Sequence, residues 1–298
     1  MGKSHPIDDT IFVGRASPAV EIRASRPGFT GRLATCFPEG HCVLSPSRKR
    51  ILVTNDDGVH SPALRALADA LAPLGEVMVV APLREMSACS HSISLFRPIR
   101  YEAVGPACYA VDGTPVDAVI VAVDHLLTEK PDLVVSGINP GANLGLNVFY
   151  SGTVGAAVEG TLHGIPSIAV SICSKSDLPL DAAARFAAQL AKWVLEEGLP
   201  PGVTLNVNIP AGWPADGSNG VRLTRPAHRQ ARRFVLETHD SGEPQSFRIR
   251  ETIDHAQLGA DSDHGAIREG HISITALALE DADHTHSLAP LERWIQSL

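Results

Sequence analysis

The stretch Ile51-Leu52-Val53-Thr54-Asn55-Asp56-Asp57-Gly58 sets the strongest limit on what this chain can become. Three consecutive aliphatic residues read as a short buried strand. Two adjacent carboxylates and a glycine follow at once. In open α/β sheets, ligands bind just beyond the carboxyl ends of the strands. Two acids at such a place are costly to desolvate unless positive charge meets them. A divalent cation is the partner that suits them best, and the chain can be searched for its other ligands.

Composition narrows the setting. The 298 residues suffice for one large α/β domain or two small ones. Hydrophobic residues make up 44% and aromatic residues only 5%, so the core is mostly aliphatic, as in parallel sheets. A formal net charge of −8 argues against a nucleic-acid backbone as a stable partner. A small phosphate substrate needs only local positive charge and stays open. Cys36, Cys42, Cys89, Cys108 and Cys173 form no C-x-x-C pair, which fits a reducing compartment rather than a zinc site. No apolar run reaches the ~18 residues of a membrane span, and the N-terminal stretch lacks an apolar signal core. A cytoplasmic protein with no membrane partner is expected.

Residues 1–48 mix Pro, Gly, Ser and Arg without periodicity and read as a flexible N-terminal extension, leaving 49–298 as the folded domain. After the strand at 50–54, Leu64, Leu67, Leu71 and Leu74 form one apolar stripe, predicting a helix over 61–74. Ser61 suits its N-cap, Pro62 its first turn, and Gly75 its C′ position. Residues 76–81 read as the next strand, joined to the first by a right-handed crossover. The polar loop 82–92 carries Ser87, Ser90, His91 and Ser92, and short strands over 93–111 follow. Thr114, Pro115 and Asp117 approximate a capping box for a helix to about 128, which gives Asp117 a structural duty. A strand at 132–136 leads into a loop over 137–145 rich in Gly and Asn. A helix over 152–163, a strand over 166–172, a helix over 180–197 and a strand over 204–209 continue the alternation. Residues 210–275 show no helical pattern and read as a β-rich excursion, with a strand over 272–279 and a short helix over 290–297 closing the chain. The whole predicts an α/β fold with a mostly parallel, doubly wound sheet and helices on both faces.

At one edge of such a sheet the polar loops converge. Asp56 and Asp57 follow the first strand, Ser87 the second and Asn139 the 132–136 strand, all offering oxygen atoms. Oxygen-only ligation favours Mg²⁺, Mn²⁺ or Ca²⁺, and two carboxylates alone leave room for waters or a substrate phosphate, which suits Mg²⁺ or Mn²⁺. The helix beginning at Ser151-Gly152-Thr153 adds unpaired N–H groups and a positive dipole end, where a phosphate binds. A cation beside such a helix start makes a phosphate ester hydrolase. Taken singly, each piece has a structural reading: a turn at Asp56-Asp57-Gly58, a loop hydroxyl at Ser87, a turn residue at Asn139, an N-cap at Ser151. No G-x-G-x-x-G, Walker, nucleophile-elbow or H-E-x-x-H motif is present.

The stretches Asn55-Asp56-Asp57-Gly58, Ser136-Gly137-Ile138-Asn139 and Tyr150-Ser151-Gly152-Thr153-Val154, in that order, resemble the SurE-type survival-protein family of metal-dependent 5′/3′-nucleotidases. Ala81-Pro82 with Ser87-Ala88, Gly113-Thr114-Pro115, Asn143-Leu144-Gly145 and Leu205-Asn206-Val207-Asn208-Ile209-Pro210 extend the likeness over about residues 49–296. The resemblance implies one divalent metal (Mg²⁺ or Mn²⁺) on Asp56, Asp57, Ser87 and Asn139. It implies Ser151, Gly152 and Thr153 near the phosphate, with Asn55 close by. It also implies a Rossmann-like core, a β-rich C-terminal part in dimer or tetramer contacts, and hydrolysis of nucleoside 5′- and 3′-monophosphates. On that reading Asp57 or Asn55 orients the attacking water. Leu83 and Met86 depart from the acidic and basic residues common in relatives. The rival readings are a calcium-dependent nucleoside hydrolase, whose longer acidic cluster is missing here, and a non-catalytic nucleotide sensor.

Overall fold

The computed structural model describes residues 34–36, 42–44, 48–176, 178–213, 220–227, 232–240, 246–253, 259–279 and 288–298. The chain divides into two units, Met1–Arg48 and Lys49–Leu298. In the first, β1 (Ala34–Cys36) pairs antiparallel with β2 (Cys42–Leu44); the rest of the expected extension lies outside the described residues. The second runs β3 (Lys49–Thr54), α1 (Pro62–Leu71), β4 (Gly75–Pro82), β5 (Tyr101–Gly105), β6 (Cys108–Val111), α2 (Pro115–Val121) and β7 (Leu133–Pro140). It continues with α3 (Gly152–Leu162), β8 (Ser167–Cys173), α4 (Leu180–Glu197), β9 (Val203–Pro210), β10 (Val221–Thr224), β11 (Arg232–Asp240), β12 (Ser246–Ile253), α5 (Asp263–Arg268), β13 (Ile272–Ala278) and α6 (Ala289–Gln296).

Alternation within single strands makes the layers. Ile51 and Val53 of β3 turn to one face of the sheet and Leu52 to the other, all buried. On the first face Leu64, Leu67 and Leu71 of α1 pack with Phe186 and Leu190 of α4. On the second, Val119 of α2 and Ala156 of α3 cover Leu52, Val80 and Val134. The predicted apolar stripe of α1 is therefore the face that meets the sheet.

The sheet order is β10-β13-β9-β8-β7-β3-β4-β6-β5. Strands β3, β4, β6, β7, β8 and β9 are mutually parallel, while β5 and β13 run against their neighbours β6 and β9. From β3 the chain steps outward through β4 and β6, then returns to the other side of β3 to lay down β7, β8 and β9. The strand order therefore reverses between β3 and β7, and the crevice beyond their carboxyl ends is the binding place of a doubly wound sheet. This is the Rossmann-like, mostly parallel sheet with helices on both faces that the sequence predicts, with additional C-terminal strands. Among the described residues, no helix is long and apolar enough to cross a membrane.

Three local expectations change. The 210–275 segment contains a helix, α5, capped by the Ser262 hydroxyl accepting from the Gly265 N–H; six residues are too few to show a period. Strand β7 runs to Pro140, so Asn139 belongs to the strand, opposite Ser171 of β8. Gly75 does not close α1 in a left-handed conformation; a 3₁₀ turn, Ala72–Leu74, does. Gly75 has an extended φ of 176° and opens β4 opposite Lys49. A Cβ on it would lie 2.1 Å from the Lys49 carbonyl oxygen, so the passage of β3 requires the glycine. Since any residue adopts that φ, Gly75→Ala tests the steric contact alone. It should destabilise the fold by about 1–3 kcal/mol, the usual cost of overpacking. At about 2–4 °C per kcal/mol for a chain of this size, calorimetry should show the fall in Tm; an unchanged Tm would mean that β3 and β4 can part there freely.

Candidate functional site

Asn55, Asp56 and Asp57 leave β3 at the switch point. Asn55 is buried, and both ends of its amide close the turn: Nδ2 donates to the Gly58 carbonyl at 3.1 Å and Oδ1 accepts the Gly58 N–H at 3.2 Å. Its amide thus fixes the turn that holds the two aspartates. Asp56 is also buried, and its Oδ1 accepts a hydrogen bond from the Thr153 hydroxyl. The Thr153 backbone N–H donates to the same carboxylate. Even so, burial holds the Asp56 carboxyl above its ordinary value. Asp57 is pushed up to about 7, first by burial and then by the charges of Asp56 and Glu85, and no positive neighbour pulls it back. Its Oδ2 is buried without a hydrogen-bond partner.

The loop after β4 forms a second wall. The Met86 N–H donates to the Asp56 carbonyl at 2.7 Å, and Ser87 Oγ donates to Glu85 Oε1 at 2.8 Å. Glu85 is a third acid of the site that the sequence reading did not single out. Its position two residues before Ser87, in a loop already assigned to the site, was the available signal. Leu83 is partly buried and packs against the core cluster that includes the apolar side of α1. The far end of the loop is fastened to the segment leading into α3: the Ser90 N–H donates to the Tyr150 carbonyl at 3.0 Å and its hydroxyl to the Phe149 carbonyl. His91 Nε2 lies 2.7 Å from Oε2 of the buried Glu159, well along α3, so this loop histidine braces the helix.

The start of α3 comes unusually close to Asp56. Ser151 caps the helix, its Oγ accepting from the Val154 N–H at 3.1 Å. A Cβ on Gly152 would stand 2.8 Å from Cys89 Sγ and 2.9 Å from Asp56 Cβ, so only glycine permits this approach. The positive end of the helix therefore acts on Asp56. Burial and the Asp56 charge both push the Cys89 thiol up, which leaves it a protonated packing group rather than a nucleophile.

Asn139 stands on the strand next to β3, where Thr54 faces Ser136. Its Nδ2 donates to the Gly141 carbonyl at 2.7 Å, which leaves Oδ1 as the atom it can offer a ligand. Two buried anchors hold the following segment: Asn143, quoted above without a role, and Asp263, which the sequence reading missed. Asn143 gives its N–H to Asn208 Oδ1 (2.8 Å) and its Nδ2 to Ser171 Oγ (2.9 Å), while its carbonyl accepts from Asn206 (2.8 Å). Asp263 accepts the N–H of Gly145 at 2.6 Å and of Ala227 at 2.9 Å. Among the described residues, no three His, Cys, Asp or Glu side chains gather as a metal centre on their own. A cation here would draw on hydroxyl and amide oxygens as well as Asp56 and Asp57, the donor set of a hard ion. The orphaned Asp57 oxygen and the crowding of negative charge fit that demand.

Residues 51–233 match the family model described as "Survival protein SurE". The chain is 44% identical over 247 residues to the 5′-nucleotidase SurE of Geotalea daltonii, covering 82% of this chain and 98% of that one. It is 43% identical over 253 residues to the 5′-nucleotidase SurE of Myxococcus xanthus, covering 84% and 95%. The crystal structure of the SurE protein from Aquifex aeolicus superposes with a TM-score of 0.71 at 36% identity, covering 82% of this chain and 99% of that one.

Asp57 sets a pH dependence for the protein in chelator. Its folded pKa of about 7 lies above the ordinary carboxyl value, so between about pH 4 and 7 the native state holds a proton that the unfolded chain has lost. Stability is then fullest at the acid end of that window and falls as pH rises through it. Asp57→Asn removes this contribution. In thermal melts with EDTA the variant should exceed the wild type at pH 7.5 and approach it near pH 4.5; parallel curves would show that Asp57 is not under this stress.

Proposed function

The chain belongs to the SurE family of survival proteins, and from that premise we propose that it is a divalent-metal-dependent phosphomonoesterase. On this reading it hydrolyses nucleoside 5′- and 3′-monophosphates to nucleoside and phosphate. The observation that carries the reading is the Asp57 oxygen, buried without a partner beside Asp56 and Glu85 at the β3–β7 switch point. An uncompensated pair of carboxylates in a ligand crevice calls for a cation, and a cation there draws a phosphate. The ligands we assign are Asp56, Asp57, Ser87 and Asn139, and the ion is Mg²⁺ or Mn²⁺, one per subunit.

Bound there, the ion supplies Lewis-acid polarisation of the phosphoryl group. The chain's own residues do the rest. Thr153 fixes the Asp56 carboxylate, and Asn55 holds the turn on which both aspartates stand. Asp57, whose Oδ2 has no internal partner, orients the attacking water. The start of α3 at Ser151, Gly152 and Thr153 brings its positive end to the charge that grows on the equatorial oxygens.

We further propose a homodimer or homotetramer. The hairpin of β11 and β12 stands apart from the main sheet with Leu236, Phe247 and Ile249 exposed, and such a hairpin alone in water is marginal. The free thiols of Cys89, Cys108 and Cys173 agree with a cytoplasmic setting. Residues 1–48 we take as an accessory extension to the domain at 49–298.

A phosphate-release screen over nucleoside monophosphates tests the central claim. Activity should disappear in EDTA and return with Mg²⁺ or Mn²⁺. Asp56→Asn should lower turnover at least about a thousandfold, the scale of several kcal/mol of lost charge stabilisation. Near-normal turnover in Asp56→Asn would refute the ligand set; release of free base instead of phosphate would make the protein a nucleoside hydrolase; tight nucleotide binding with neither product would make it a sensor.

A further inference from the structure

We propose that Phe149 is the nucleobase platform of this site, its ring stacking on the base of a nucleoside monophosphate whose phosphate lies at Asp56, Asp57 and the start of α3. The inference rests on the nucleotidase reading above and adds to it the residue that distinguishes a nucleotide from other phosphate esters.

Place is the first support. Phe149 ends the 3₁₀ turn Gly145–Phe149, two residues before the helix cap Ser151. Two residues of chain span at most about 7 Å, a separation on the scale of one ribose between a phosphate and its base. Mounting is the second. The carbonyls of Phe149 and Tyr150 are both bonded by Ser90, and the turn begins at Gly145, whose N–H is held by the buried Asp263. The backbone beneath the ring is thus tied on one side to the loop that carries Ser87 and on the other to the C-terminal segment. A displayed ring on a fixed backbone lowers the ordering cost of stacking, because only the side-chain rotamer remains to be fixed. Exposure is the third. Phe149 is 68% exposed, whereas Phe186 in the core is 3% exposed.

An aromatic face binds any base through its π surface, with strength following stacking rather than hydrogen-bond readout. The platform therefore predicts a broad substrate range, with purine monophosphates favoured over pyrimidine ones. It also predicts that sugar phosphates without a base gain nothing from the ring.

The test compares AMP with ribose 5-phosphate in the full-length protein, measuring phosphate release with saturating Mn²⁺. In Phe149→Ala the ratio of kcat/KM for AMP over ribose 5-phosphate should fall about tenfold, carried by the KM for AMP. Phe149→Trp should restore the ratio, and AMP should quench its new indole fluorescence while ribose 5-phosphate does not. Equal losses on both substrates, or a change in subunit mass by light scattering, would overturn the proposal by making Phe149 a structural or subunit contact. An unchanged ratio would overturn it outright. If the wild type releases phosphate from neither compound, the nucleotidase reading fails instead; the AMP-specific quench then still decides the stack, its presence supporting it and its absence overturning it.

Discussion

Two adjacent carboxyl groups, one buried and one half-buried, at the end of one strand place a standing demand on this molecule. Asp56 and Asp57 follow β3 without an intervening residue, and burial raises both carboxyls. A carboxylate in an apolar setting is stable only if hydrogen bonds, dipoles or cations meet it. The fold supplies a helix N-terminus and the Thr153 hydroxyl to Asp56. It supplies nothing to Asp57 Oδ2. The two neighbours therefore differ: one acid is satisfied from within, and the other keeps a buried oxygen without a partner.

Satisfying Asp56 in this way constrains everything around α3. The helix must begin nearly against the Asp56 side chain, which leaves no room for a Cβ at Gly152. The loop bearing Ser87 must then cross the helix start, and Ser90 and His91 fasten it there through the Phe149 and Tyr150 carbonyls and Glu159. Asn143 and Asp263, both buried, fix the segment that enters the helix from below. Asn143, Asp263 and Glu159 are buried polar groups with their bonds made, so losing one partner would strand the other.

Much of this was legible in the chain. Period-three-and-four leucines placed α1, the alternation of strands and helices gave the parallel sheet, and the capping pattern at Thr114 and Asp117 appears in the structure as two reciprocal bonds. Other residues misled because one signal serves several causes. Gly75 looks like a helix terminator and is a close-contact residue against Lys49. Asn55 reads as a site residue, and the structure adds a local duty, the clasp of the turn at Gly58. Asn139 looks like a loop residue because glycines surround it, yet β7 continues through it to pair with β8.

What the sequence determined by itself is local: which segments carry a period, where helices start, and that two acids and a glycine follow a buried strand. These follow from side-chain spacing and backbone preference within a few residues, and they point to the carboxyl edge of the sheet, where ligands bind in folds of this kind. Only the tertiary structure decided which groups meet the acids. Thr153 reaches Asp56 across 97 positions and Asp263 reaches Gly145 across 118, and no local pattern encodes such pairings. The first exists because the strand order reverses at β3, which sets the parallel ends of β3 and β7 side by side; the second exists because α5 folds back onto the segment after β7.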